Sequence, residues 1–321
     1  MSTRPRVLLV GAGAVGQVFG RYLQEAGCDV SFLVKEQYAE EARQGFTLYE
    51  LGLFQRAYAP GVFSGFDVRV SPQEVAARSW DQVWLCVSST ALRAGNWVDA
   101  LARATGEATW VMLQPALADR EWLLQWIPPE RLVSGMIPFI SFQAPLKPGD
   151  PVPRPGTAFW FPPLARGLFS GPSERLQPVL RTLKAGGYPA ARHADTARAA
   201  AIPSAVLTVF VDGLEAAGWS FARFLERDSL ERVSPAAREA VRIAAWRTKG
   251  NASAVLPLLR PLLFKALLPV IARLAPFDLE TYLRVHFTKV GAQTRLMMHE
   301  YVDLGRSAEL PVQHLQASTG R

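Results

Sequence analysis

The sequence predicts an α/β domain followed by an all-helical domain, and three observations carry that reading. Short apolar strands alternate with helical stretches through the first half, prolines crowd residues 137–172, and from residue 195 onward the pattern is helical. With roughly 100–200 residues per domain as the usual range, the 321 residues suit two domains, drawn here as 1–193 and 194–321. Hydrophobic residues make up 49% and charged residues 20%, the balance of a globular chain with a substantial core of its own.

Expected strands are 6–10, 29–34, 66–70, 82–87, 108–113 and 132–136. The run Gln82 to Val87 is apolar enough for a strand covered on both faces. Pro138, Pro145, Pro148, Pro151, Pro153, Pro155, Pro162 and Pro163 exclude long helices, because proline lacks the amide donor and fixes its own φ. Phe139–Phe142 and Thr157–Phe161 still read as strands, expected as an antiparallel extension of the sheet. Helices are expected over 195–218, 219–227, 234–248, 253–274 and 278–307, with breaks at Gly218, Pro235, Gly250 and Pro276.

Residues 254–275 approach the length of a membrane span. Arg260, Lys265 and Arg273 interrupt them, as do Pro257, Pro261 and Pro269, so a span is not expected, and a core or dimer-interface helix is expected over membrane association. The net charge of +7 is scattered, with no dense Lys/Arg run, which argues for anionic small ligands over nucleic acid. Cys28 and Cys86 lie far apart in apolar runs and read as free buried thiols, not as a disulfide or metal site. The N-terminus enters an apolar strand and a glycine turn without a signal-like segment, so a cytoplasmic location is expected.

The strongest motif is Gly11-Ala12-Gly13-Ala14-Val15-Gly16, which follows the strand Val7–Val10 and opens the helix Gln17–Ala26. In that context G-x-G-x-x-G is a dinucleotide fingerprint. Gly11 permits the tight turn, Gly13 lets the backbone approach a pyrophosphate, and Gly16 allows close helix–sheet packing. The first-turn amides at Ala14, Val15 and Gly16, with the helix dipole, favour the phosphate charge. The N-terminal domain is therefore expected to be Rossmann-type.

The second strand runs into Lys35, where an NAD-preferring site usually places Asp or Glu against the ribose hydroxyls. A cation there suits the 2′-phosphate of NADP(H); the alternative is a surface lysine beside Glu36. Ser88 and Ser89 follow the fourth strand and Gln114 the fifth, both at the ligand-binding edge of such a sheet. Each is a candidate cofactor contact, or else part of an ordinary capped turn.

The Gly-Ala-Gly-Ala-Val-Gly motif, Lys35, the two-domain plan and the closing Ala308-Glu309-Leu310-Pro311-Val312 together resemble the ketopantoate reductase (2-dehydropantoate 2-reductase) family. The resemblance covers most of the chain in layout, with its specific motifs in the first 35 or so residues. It implies NADPH-dependent reduction of 2-dehydropantoate or a related 2-oxo acid. It also implies a lysine after the fourth strand, where Ser88-Ser89 stands here, and Asn-Gly after the fifth, where Gln114-Pro115 stands. A catalytic lysine is expected where Ala199 to Ser204 runs, and a substrate-binding glutamate near Thr288 to Arg295. The resemblance is therefore to a divergent member lacking the usual catalytic lysine and glutamate.

Reducing a carbonyl requires that it be polarised and that a proton be supplied. On a continuous helix over 278–307, His286, Lys289 and Gln293 fall at i, i+3 and i+7 and share a face. Lys289 is the candidate proton donor or electrostatic stabiliser, His286 the next; the alternative is a solvated face. Gly291, mid-helix in this reading, suggests close packing or binding at the backbone. His193, His299 and His314 form no metal-ligand spacing. Two functions remain in view: an NADP-dependent oxidoreductase acting on a small anionic carbonyl compound, and a catalytically silent NADP-binding sensor or partner-binding protein.

Overall fold

The computed structural model describes residues 4–52 and 59–319, which form two compact units. Of these residues, the first unit contains those up to 114 and 119–196, the second 115–118 and those from 197 onward.

In the first unit the strands of the main sheet are β1 Arg6–Val10, β2 Asp29–Leu33, β5 Asp67–Arg69, β6 Gln82–Leu85, β7 Thr109–Met112, β8 Leu132–Gly135, β11 Gly167–Ser170 and β12 Ala190–Arg192. They lie in the order β12-β11-β8-β7-β6-β1-β2-β5, with only the β11–β8 pair antiparallel. From β5 to β8 this is the doubly wound order, and the order of the strands in the sequence reverses between the parallel neighbours β1 and β6. Ligands of such sheets sit at that reversal, beyond the carboxyl ends of the strands.

Alternation along β1 explains why its run is apolar throughout. Val7 and Leu9 join Val18 and Phe19 in one core, whereas Leu8 and Val10 join Leu85, Trp110 and Met112 in the other. All four residues of β6 are buried, as expected for a strand covered on both faces. The helices of this unit are α1 Ala14–Glu25, α2 Ala39–Arg43, α3 Pro72–Ala76, α4 Ser89–Leu92, α5 Trp97–Ala104, α6 Asp119–Leu123 and α7 Ser173–Ala185. Cys28 and Cys86 are free, and burial, with Asp81 and Asp29 adding to it, pushes the Cys28 thiol up to about 11.

The proline-rich region corrects one expectation. Its strands β9 Ile140–Ala144 and β10 Gly156–Trp160 do not extend the main sheet. With β3 Phe46–Leu51 and β4 Pro60–Phe63 they form a separate four-stranded sheet in the order β4-β3-β10-β9. β10 runs antiparallel to β9 and parallel to β3, so its partner comes from more than a hundred positions earlier in the sequence. Local patterning holds no information about such a partner.

The second unit is helical: α8 Thr196–Ala216, α9 Phe221–Phe224, α10 Arg227–Thr248, α11 Pro261–Leu274, α12 Leu279–Lys289, α13 Gly291–Ser307 and α14 Gln313–Thr319. Three expected breaks hold: α10 stops at Lys249, left-handed at φ 53°, Gly218 (φ 66°) follows α8, and Pro276 lies between α11 and α12. Pro235 does not break its helix; it lies inside α10. The expected helix 278–307 is two helices, because Val290, at φ −107° and ψ 18°, separates α12 from α13. Residues 254–275 do not form a core helix either: α11 buries only Leu268. Buried Glu239 on α10 accepts the backbone N–H of His314 (3.0 Å) and of Leu315 (3.0 Å), which ties down the start of α14. Among the described residues only α8 is long and apolar enough to cross a membrane by length and composition.

Candidate cofactor site and the polar helical segment

The glycine turn lies at the β1–β6 reversal. Gly11 adopts φ +98°, donates its N–H to the Leu33 carbonyl (2.9 Å), and would press a Cβ to 3.0 Å from the Cys86 carbonyl and from the Val87 side chain. The requirement at Gly16 is stricter, since a Cβ there would stand 2.1 Å from the Gly11 carbonyl oxygen. Gly13 differs from both. At φ −69° and ψ 178° it caps α1 without strain, and a Cβ there would meet nothing within 4 Å.

The turn therefore has one glycine for its conformation, one for packing, and one whose missing side chain leaves an open surface. That open surface at a helix N-terminus fits a pyrophosphate, because the first-turn amides of Ala14, Val15 and Gly16 have no carbonyl partner within the helix. A second brace was not legible in the motif: the Gln17 side-chain amide donates to the Ala12 carbonyl at 2.8 Å and holds the turn from the helix side.

Lys35 is exposed just past β2, in extended conformation (φ −66°, ψ 146°), and begins the 3-10 turn Glu36–Tyr38. The other loop candidates act inward. Ser88 caps α4 by accepting the Ala91 N–H (3.2 Å), and its hydroxyl also contacts that of Thr90 (2.9 Å). Ser89 is buried and donates to the Asp119 carboxylate at 2.7 Å. Arg93 grips the other oxygen of Asp119 at 2.7 and 3.1 Å, so this fully buried acid is charge-paired and hydrogen-bonded. Gln114 donates to the carbonyls of Leu85 (2.9 Å) and Val87 (2.7 Å) and accepts the Leu113 N–H (3.1 Å). Its side chain thus joins the ends of β6 and β7 and fixes the edge on which a cofactor would lie. Ser89 and Gln114 are positioning groups in this geometry, and the signal for it, a buried Asp119 thirty positions from Ser89, is not local.

In the second unit the break at Val290 removes the continuous face expected for His286, Lys289 and Gln293. His286 and Lys289 end α12, while Gln293 belongs to the first turn of α13, its N–H donated to the Val290 carbonyl at 2.8 Å. His286 stacks on Tyr282 (centroids 5.2 Å apart) and meets Phe287 edge-on (4.9 Å). Burial, with the charge of Lys289 adding to it, holds its imidazole down at about 4, so it is neutral near pH 7. Lys289 is exposed at the carboxyl end of α12, where the helix dipole favours a cation. Gly291 opens α13 and is not a mid-helix residue; a Cβ there would meet only the Arg295 guanidinium, at 3.2 Å. Among the described residues no cluster of three or more His, Cys, Asp or Glu side chains has the arrangement to hold a metal ion.

Residues 7–149 match the family model described as ketopantoate reductase PanE/ApbA. That segment carries the similarity to the family. It contains the glycine turn, Lys35, the Ser88 and Gln114 loops and the Asp119 network. No curated protein sequence matches the chain.

Among solved structures, the chain is similar to a PanE/ApbA family ketopantoate reductase from Ralstonia eutropha JMP134, with TM-score 0.72, 17% identity and coverage of 98% of this chain and 96% of that one. It is also similar to the 2-dehydropantoate 2-reductase of Geobacter metallireducens GS-15, with TM-score 0.69, 18% identity and 98% of each chain covered. A third similar structure is D-mandelate dehydrogenase with NADH and anilino(oxo)acetate, at TM-score 0.68, 11% identity and coverage of 98% and 96%. At such identities the structures establish a shared fold over nearly the whole chain.

Proposed function

We propose that the protein is an NADP-dependent reductase of a small anionic carbonyl compound of the 2-oxo acid type. The observation that carries this reading is the pairing of the open surface at Gly13 with exposed Lys35 beyond the next strand. The first fits a pyrophosphate and the second a ribose 2′-phosphate. When bound, the reduced nicotinamide supplies the hydride, and the carbonyl becomes an alcohol once a proton reaches its oxygen.

The chain's own contribution begins with the turn. First-turn amides of α1 bind the pyrophosphate, Gly16 keeps α1 close to β1, and Gln114 holds the β6 and β7 loop ends in place. Lys289 supplies positive charge or the proton as the alkoxide develops. His286, neutral near pH 7, acts as a hydrogen-bond donor or as an aromatic support, not as a cation.

NADPH and NADH oxidation, followed by absorbance against a panel of 2-oxo acids, tests the reading. Turnover with NADPH favoured, a preference reduced about tenfold or more in Lys35→Ala, and kcat lost in Lys289→Ala with cofactor affinity retained are the expected results. Tight NADPH binding with no turnover on any 2-oxo acid points instead to the silent sensor. Unchanged cofactor preference in Lys35→Ala removes the NADP assignment.

A further inference from the structure

Helix α11 of the second unit has its polarity reversed for a surface helix. Leu268 is its one buried residue, and Phe264 anchors it through an edge contact with Phe224 (centroids 6.2 Å apart). The outer face is apolar: Leu262, Leu267, Val270, Ile271 and Leu274 are between 49% and 75% exposed. So many exposed apolar side chains on one helix mark a surface that something covers.

The charges around it identify the occupant. Arg260, Lys265 and Arg273 are exposed and form no ion pair among the described residues, and no Asp or Glu occurs from residue 252 to residue 277. A second copy is a poor match, because a two-fold contact sets the same patch against itself and leaves six cations without an acid from that segment. An anionic lipid surface satisfies both features. Leucine, valine and isoleucine side chains enter the acyl boundary while the long arginine and lysine stems carry their charges out to the phosphates. At about 1.5 Å per residue the 14 residues of α11 reach roughly 21 Å, short of a hydrocarbon core of about 30 Å, so the helix lies in the interface and does not cross it.

We propose that α11 is a membrane-surface docking helix that seats the protein on bilayers containing anionic phospholipid. The full chain is sedimented with vesicles of phosphatidylcholine plus phosphatidylglycerol, and with vesicles of phosphatidylcholine alone. At least about tenfold stronger partitioning onto the anionic vesicles is expected, weakened by salt. Leu262→Glu with Ile271→Glu removes it, and Lys265→Glu with Arg273→Glu removes the anionic preference even if the first variant does not fold. Failure to sediment with anionic vesicles, or equal sedimentation with both kinds, overturns the proposal. So does a concentration-dependent dimer in analytical ultracentrifugation that Leu262→Glu converts to monomer, which would make this face a protein interface. NADPH turnover is independent of all these outcomes.

Discussion

The glycine turn of the first unit and the 279–307 segment of the second were both read as functional from short-range spacing, and they fare differently in three dimensions. The turn works through backbone shape. Gly11, Gly13 and Gly16 each have a distinct steric environment, fixed by residues within a few positions and by one neighbouring strand. The helical segment works through side-chain direction, and a single non-helical residue, Val290, reorients everything after it. A motif made of backbone constraints survives such local irregularity. A motif made of a helical face does not.

Four substitutions break or sharpen that contrast. The largest effect is expected for Gly16→Ala, whose methyl group would stand 2.1 Å from the Gly11 carbonyl. Overpacking against backbone should cost about 3 kcal/mol, read by chemical denaturation. Wild-type stability in this variant would show that α1 can move away from β1, and the turn would not be the rigid partner in the comparison.

Next is the pH dependence contributed by His286. Its folded pKa of about 4 lies below the ordinary histidine value of 6.5, so between those values the unfolded chain binds a proton that the folded chain does not. This contribution leaves stability unaffected above about pH 6.5 and lowers it as pH falls toward about pH 4, by about 2–3 kcal/mol. His286→Phe should remove that slope while keeping the ring contacts with Tyr282. Urea melts of both proteins across the window measure the difference, and equal slopes would place His286 in water.

Gly13→Ala isolates ligand binding from folding. With no atom within 4 Å of the added Cβ and a φ of −69°, the melting curve should stay within about 0.5 kcal/mol of wild type. NADPH affinity should drop about tenfold or more, because the methyl group occupies the surface a pyrophosphate would approach. Unchanged affinity, measured by calorimetry, would move the phosphates away from this turn.

The smallest effect belongs to Gly291→Ala. The residue opens α13, and the added methyl group meets only the mobile end of Arg295. Slight stabilisation, below about 1 kcal/mol, is expected from helix propensity. A clear destabilisation would restore the idea that something packs on the backbone there.

Six of the eight strands of the main sheet were legible, β11 and β12 being the exceptions, because apolar runs bounded by turn residues mark most of them. β1 and β6 fall within their expected limits, and their burial on both faces follows from composition. The second sheet was not legible, since β10 pairs with β3 across the whole intervening domain. Ser88 and Ser89 show the same limit at the site. The caps and turns of that loop are local, but the inward direction of Ser89 depends on Asp119, which arrives from another helix. Gln114 looked like a loop polar group, and only the placement of Leu85 and Val87 makes it a staple.

By itself the sequence determined the glycine turn between β1 and α1, the parallel order implied by alternating strands and helices, and the charge at position 35. These depend on sterics and hydrogen bonding among near neighbours, which spacing records. The tertiary structure decided which polar side chains face inward, where the long helical segment divides, and that α11 turns its apolar side outward. Those outcomes depend on partners far away in the chain, and no local pattern encodes which face a distant partner will cover.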